Sequence, residues 1–264
     1  MTPVLMLGAG RLGGALIEGW SRFGGPSAQD LLILDPAPSG AALAAGRAGA
    51  VLSPGPPDLV RARTVLLAVK PQVWREAAAA IAGQLDSAAV IVSVAAGVRA
   101  ADISEAFGGR AVARVMPTTA VAVGRGVASL FAADPRAAES ARALFGPVAR
   151  VVELAEESLL HAATGVSGSA PAYFYAFVEA LEAAGAAAGL PPEASRDLAR
   201  ATMVGAAALL DASGEDPADL RRQVTSPGGT TEAALAILMG EAGLGPLLRE
   251  AVAAATRRSG ELGG

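Results

Sequence analysis

Val4-Leu5-Met6-Leu7-Gly8-Ala9-Gly10-Arg11-Leu12-Gly13 is the stretch that decides the fold. Its four leading residues are too uniformly apolar for a half-exposed strand, and they run straight into a GxGxxG pattern. A helical apolar pattern then runs from Leu12 to about Phe23. Strand, glycine turn and helix in that order are the context that gives GxGxxG its meaning. Gly8 permits the tight turn, Gly10 lets a pyrophosphate approach the backbone, and Gly13 lets the helix pack close to the sheet. Free amides and the dipole at the helix start favour phosphate oxygens. The turn from Gly8 through Ala9, Gly10, Arg11 and Leu12 to Gly13 is thus the expected seat of a dinucleotide.

Working outward, apolar runs recur at Leu31–Leu34, Thr64–Val69, Val90–Val94 and Ala111–Val115, with a weaker one near Val51. Helical stretches at 40–47, 72–84 and 102–107 separate them. Strands at 127–131 and 148–152 around a helix at 135–144 would extend the edge. This alternation predicts an α/β fold, a Rossmann-type doubly wound, mainly parallel sheet covered on both faces. From Glu156 onward the pattern is helical throughout, at 167–189, 191–212, 217–223, 229–239 and 246–260. The expected domains are a dinucleotide-binding Rossmann domain at 1–155 and an all-helical dimerisation and substrate domain at 156–264.

Composition narrows the chemistry. The chain has 264 residues, 52% of them hydrophobic and 17% charged. No run reaches the roughly 18 to 20 apolar residues that span a bilayer. The balance of 21 basic to 25 acidic residues gives a net charge of −4, which argues against nucleic acid as a ligand. Cysteine is absent, and His161 is the single histidine, so thiolate chemistry and multi-histidine metal sites are excluded. No metal is expected. The start of the chain lacks the pattern of a signal peptide, and a cytoplasmic protein is expected. The helical half is rich in Ala and carries Tyr173, Phe174, Phe177, Val178 and Leu181 at helical spacing. Such a half has little core of its own, and homodimerisation through it is expected.

Asp35 ends the second apolar run. It is placed to accept hydrogen bonds from both hydroxyls of an adenosine ribose, or only to start the turn at Pro36. In the first role its charge opposes the 2′-phosphate of NADP, an effect that Arg11 or Ser39 would offset. In the helical half, Ser226-Pro227-Gly228-Gly229-Thr230-Thr231 sets up a turn into a helix whose first amides are free. That is a nest for a small carboxylate, with Thr230 and Thr231 adding hydroxyls, or a helix cap made by Ser226 or Thr230. The GxxxxGK[ST] pattern of phosphate-binding ATPases is absent. A flavin or methyltransferase reading explains the glycine turn but not the second motif.

Seven ordered blocks carry a resemblance over essentially the whole chain. They are GAGRLGGAL at 8–16, VKPQ at 69–72, SVAAGV at 93–98, RVMPTTAVAVGRG at 114–126, GVSGSAPAYFYAFVEAL at 165–181, VTSPGGTT at 224–231 and REAVAAATRRSGEL at 249–262. The sequence resembles the pyrroline-5-carboxylate reductase family. The resemblance implies reduction of the cyclic imine (S)-1-pyrroline-5-carboxylate to L-proline, the last step of proline biosynthesis, with NADPH or NADH as donor. It also implies helical domains intertwined between subunits, in dimers that often assemble into decamers. The substrate would lie between the nicotinamide and the SPGGTT helix. Ser226, Gly228, Gly229 and Thr230 would hold its carboxylate, and Thr231, as the catalytic residue, would hydrogen-bond the ring nitrogen. Val69, Lys70 and Pro71, with Met116, Pro117 and Thr118, would line the nicotinamide. The chain departs from the family pattern at Thr118, where Asn is usual, at Ala120 for Pro, at His161 for Asp and at Ala170 for Gly.

Hydride transfer asks chiefly for position, and the cofactor carries the chemistry. His161 and Tyr173 therefore read as packing residues, and Lys70 as part of the cofactor loop. A β-hydroxyacid dehydrogenase would need a lysine in the helical half, and none is present. A non-catalytic dinucleotide-binding protein would be expected to have lost Thr231 or one glycine of 8–13, and all are intact.

Overall fold

The computed structural model describes residues 3–261. The first part alternates as expected: β1 (Val4–Leu7), α1 (Arg11–Phe23), β2 (Leu31–Leu34), α2 (Gly40–Arg47), β3 (Val51–Leu52), α3 (Pro56–Leu59), β4 (Thr64–Leu67), α4 (Trp74–Ile81), β5 (Val90–Ser93), α5 (Ala100–Ala106), β6 (Val112–Pro117), β7 (Gly126–Ala132), α6 (Pro135–Phe145) and β8 (Ala149–Glu153). The strands form one sheet in the order β3-β2-β1-β4-β5-β6-β7-β8. The order reverses between β1 and β4, which places the glycine turn after β1 at the switch point of the sheet.

Both faces of the sheet are covered, and β1 shows why its sequence is apolar throughout. Val4 and Met6 enter one buried cluster with Leu16, Ile17 and Trp20 of α1. Leu5 and Leu7 enter the other with Trp74, Ile81 and Ile103 from α4 and α5. Successive side chains of a strand point to opposite faces, so a doubly covered strand must be apolar at every position.

Three features go beyond the sequence reading of a mainly parallel sheet. Strand β7 is antiparallel to β6, while the pairs from β3 through to β6 and the pair β7–β8 are parallel. The link from β6 to β7 is a short 3-10 turn, Thr119–Val123, and a parallel return needs a crossover of about a dozen residues or more. Strand β6 continues past Val115 through Met116 and Pro117, which pair with Ser129 and Ala128. The short helix α3 stands where no element was expected. Pro56 at its first position has the backbone angle a helix start requires.

The rest is helical: α7 (Leu159–Ala163), a π-helical turn at Thr164–Gly168, α8 (Ala170–Ala187), α9 (Pro192–Ser213), α10 (Pro217–Gln223), α11 (Thr230–Leu238) and α12 (Leu244–Glu261). The helix expected from residue 167 thus begins three residues later, because the π turn occupies 164–168. The chain divides into two compact units. Within the described residues, one contains the chain up to Gly168 together with Ala254–Glu261, and the other is Ser169–Ala253. Residues 156–168 and the end of α12 therefore pack with the sheet, while residues 262–264 lie outside the described structure.

The second unit has almost no interior. Helices α8, α10 and α11 bury no residue, and α9 buries only Ser195 and Ala199. The Ser195 hydroxyl donates to the Glu182 carbonyl oxygen at 2.7 Å, which fastens α9 to α8. Tyr175 is 72% exposed, Val204 69% and Ile237 78%. Apolar surface on this scale marks an interface rather than a finished surface. Among the described residues, no helix is long and apolar enough to cross a membrane.

Candidate functional site

Strands β1, β2, β4, β5 and β6 run parallel, so the turns that follow them open on one edge of the sheet. That edge collects the Gly8–Gly13 turn, Asp35, Val69-Lys70-Pro71, the 94–99 turn and Thr118. It is the crevice at which doubly wound sheets bind ligands.

Three glycines of the first turn have different reasons to be glycine. Gly8 has φ +90°, and a Cβ there would lie 2.8 Å from the Ala68 carbonyl oxygen. A Cβ on Gly13 would lie 2.6 Å from the Gly8 carbonyl oxygen. Both are required by the close approach of the protein's own backbone. Gly10 is exposed, and nothing lies within 4 Å of where its Cβ would be. No protein atom fills that space, which leaves it open at the free amides of α1.

Asp35 is half-buried at the end of β2. Its Oδ2 accepts the Ala9 N–H at 2.5 Å and its Oδ1 accepts the Ala37 N–H at 2.7 Å. The Gly8 N–H beside it donates to the Leu34 carbonyl oxygen at 3.0 Å. The carboxylate therefore ties the glycine turn to the turn after β2.

Further along the edge, the Val73 N–H donates to the Lys70 carbonyl oxygen at 3.1 Å and closes the turn at Pro71. Lys70 itself is exposed and Val69 half-buried. Arg99 grips Asp102 through two hydrogen bonds, at 2.9 and 2.8 Å, and so holds the Asp102 carboxyl below the usual carboxylate range. Pro117 and Thr118 are buried and Met116 half-buried. The Thr118 Oγ1 accepts the Val127 N–H at 3.1 Å, which leaves its hydroxyl proton free to donate. Gly168, the last residue of the π turn, lies against the Met116 side chain, 3.5 Å from its Cγ at the position a Cβ would take. Interrupted helices of this kind are frequent at functional sites.

His161 Nδ1 and Ser259 Oγ lie 3.1 Å apart, joining α7 to the end of α12. That is a packing contact between the two helices. Among the described residues, no group of three or more acidic or histidine side chains is arranged to hold a metal ion.

In the other unit, Gly228 has φ +69°, and the Gly229 N–H closes the turn onto the Ser226 carbonyl oxygen at 3.0 Å. Gly229 is the N-cap of α11 and no side chain caps the helix there, so the hydroxyls of Ser226 and Thr230 do not serve as caps. The Gly228 N–H donates to Glu232 Oε2 at 2.7 Å. The amides of Gly228 and Gly229 thus have partners within the chain. Those of Thr230, Thr231 and Glu232 open α11 and have no carbonyl within the helix to bond.

Besides the bond from Ala9 to Asp35, two further contacts escaped the sequence reading. Glu232 stands three residues after the N-cap, the acidic position of a capping box, which is a signal the sequence did contain. Arg114 and Glu157 are paired at 2.8 Å, with the Arg114 side chain only 5% exposed. No spacing rule links residues so far apart in sequence.

Comparison with known proteins finds relatives of both parts of the chain. Residues 157–262 match a family model described as pyrroline-5-carboxylate reductase dimerisation. Residues 3–97 match one described as NADP oxidoreductase, coenzyme F420-dependent. A pyrroline-5-carboxylate reductase of Pseudomonas aeruginosa is 38% identical over 99% of this chain and 97% of its own. That of Synechocystis is 43% identical over 75% of this chain and 74% of its own. The structure of a pyrroline-5-carboxylate reductase from Coxiella burnetii superposes with a TM-score of 0.90 at 26% identity, covering 100% of this chain and 99% of that one.

Proposed function

The chain belongs to the pyrroline-5-carboxylate reductase family, and from that membership we propose that it reduces (S)-1-pyrroline-5-carboxylate to L-proline with NADPH or NADH. The observation that carries the reading is the open space at Gly10. Gly8 and Gly13 are demanded by packing, whereas the protein itself makes no use of the missing Cβ at Gly10. A backbone bared in this way at a helix start suits a pyrophosphate. When bound, the reduced nicotinamide supplies the hydride.

Every other task falls to the chain. The amides of Arg11 and Leu12 at the start of α1, with the bare backbone of Gly10, hold the pyrophosphate on the turn that Gly8, Ala9 and Gly13 shape. Val69, Lys70 and Pro71, with Met116, Pro117 and Thr118, line the nicotinamide end of the edge. At the start of α11, the Ser226 and Thr230 hydroxyls and the free first-turn amides hold the substrate carboxylate, on the turn that Gly228 and Gly229 shape. Thr231 hydrogen-bonds the ring nitrogen and orients the imine. A protonated imine is already electrophilic, so the polarising task left to the protein is small and position is the main contribution.

The apolar faces of α8, α9 and α11 make the chain a homo-oligomer built on a dimer of helical units, consistent with the match of 157–262 to a dimerisation model. Assembly of such dimers into a decamer is the larger form we propose.

The test is spectrophotometric. Purified protein with the imine should consume the dihydronicotinamide absorbance of NADPH or NADH and yield L-proline, with full rate after chelation. A folded sample with no turnover on either cofactor would overturn the reading.

A further inference from the structure

We propose that Asp35 is a positioning residue for the pyrophosphate-binding turn, acting on either dinucleotide through the Ala9 amide. The proposal rests on the reading that the Gly8–Gly13 turn holds the cofactor. It departs from the expectation that an acidic residue at this strand end serves mainly to read the ribose and reject a 2′-phosphate.

The geometry carries the argument. Ala9 is 0% exposed, so its N–H cannot exchange a lost partner for water. Its acceptor is Asp35 Oδ2, at 2.5 Å, from a strand 26 residues away in sequence. The neighbouring amide, Gly8 N–H, is fixed to the same strand end by the Leu34 carbonyl oxygen. Two consecutive amides of the turn are thus anchored to the end of β2, one through backbone and one through the Asp35 side chain. The second carboxylate oxygen is fixed in turn by the Ala37 N–H. A carboxylate held at both oxygens sets the direction in which residues 9 and 10 present their backbone. Gly10, which follows directly, is where that backbone is bare.

Removing the side chain leaves a buried donor without an acceptor, and the turn must move to find one. That movement displaces the pyrophosphate, which NADH and NADPH share. The loss should therefore be common to both cofactors, whereas loss of a ribose contact and of a repulsion would separate them.

The experiment titrates wild type, Asp35→Ala and Asp35→Asn with NADH and with NADPH, following dihydronicotinamide fluorescence without imine. Steady-state kinetics on the same samples then compare KM for cofactor with kcat. Asp35→Ala should raise the Kd of both cofactors by a similar factor, roughly tenfold or more. Asn keeps a carbonyl oxygen for the Ala9 N–H, so Asp35→Asn should recover much of the loss for both. In the kinetics the loss should appear mainly in KM for the cofactor rather than in kcat, as removal of a uniform binding contribution does. Weaker NADH binding with stronger NADPH binding in Asp35→Ala would overturn the proposal in favour of ribose reading. Unchanged Kd values with only a lower Tm would overturn it in favour of simple stability. A folded wild type that binds neither dinucleotide would overturn the cofactor reading itself, and the proposal with it.

Discussion

The buried guanidinium of Arg114 donates to Glu157 Oε1 at 2.8 Å, and the same oxygen accepts the Ala100 N–H at 2.7 Å. One carboxylate therefore joins the middle of β6, the start of α5 and the segment that leads into α7 and the π turn. The start of α5 follows directly on the 94–99 turn of the edge where the cofactor residues collect. The pair couples the position of Met116, two residues along β6 from Arg114, to that of Gly168, which lies against it.

Breaking this pair from either side should be costly. Arg114→Met leaves Glu157 with one donor, and Glu157→Ala leaves a buried cation without its partner. Loss of one member of a buried pair costs about 3 to 5 kcal/mol, and the 30% exposure of Glu157 lowers the expected figure to about 2 to 3 kcal/mol. Denaturant unfolding of both variants measures it. Changes below about 0.5 kcal/mol would mean that the pair contributes nothing net.

Gly19 on α1 gives a packing prediction. A Cβ there would meet the carbonyl oxygen of Val121 in the 3-10 turn after Thr118, and also Val148 Cγ1 at 3.0 Å. The first obstacle is backbone and cannot rotate away. Gly19→Ala gains helix propensity of about 1 kcal/mol, yet overpacking of this kind costs about 1 to 3 kcal/mol. The variant should be less stable than wild type by a shift in the denaturant midpoint. A more stable variant would show that α1 moves freely over that turn.

Thr231→Ala separates substrate from cofactor. It removes one hydroxyl and leaves the α11 amides in place. Loss of its hydrogen bond to the ring nitrogen should cost about 1 to 3 kcal/mol, or roughly tenfold to a hundredfold in kcat/KM for the imine. Cofactor Kd should be unaltered, since the glycine turn belongs to the other unit. Unchanged imine turnover would return Thr231 to the role of a helix-start residue and move the site to Ser226 and Thr230.

Assembly is tested on the exposed face. Tyr175→Asp and Val204→Asp place charge on α8 and α9, where the wild-type side chains are 72% and 69% exposed in the single chain. An isolated subunit would tolerate both changes. In an interface, burying an unpaired carboxylate is strongly unfavourable. Light scattering should show wild type at a dimer or a multiple of it, and the variants shifted toward the 26.0 kDa subunit with loss of activity. A wild-type monomer with full activity would refute the assembly.

Much of the fold was legible because it is written in local patterns. The apolar run 4–7 and the glycines at 8, 10 and 13 are contiguous, and their consequences follow from backbone sterics and a covered sheet. The turn into a helix at SPGGTT was legible as a turn, while the positive φ at Gly228 and the bond from its N–H to Glu232 came only with the structure. The antiparallel β7 was not legible, since its direction depends on how short a link the 3-10 turn makes. Nor was the return of the end of α12 to the unit that holds the sheet, through contacts such as His161 of α7 with Ser259.

The sequence by itself determined that a strand-turn-helix with a bare backbone would stand at the head of a parallel sheet, and that a second turn would open a helix in an apolar helical half. Those features depend on neighbours within a few residues, where torsional preference and periodicity act. Only the tertiary structure decided what the charged groups do. Asp35 reaches Ala9, Arg114 reaches Glu157 and Glu157 reaches Ala100 across spans of 26, 43 and 57 residues. A carboxylate accepts from whichever donor folding brings within about 3 Å, and that distance is set by the packing of the sheet and its helices rather than by any local spacing.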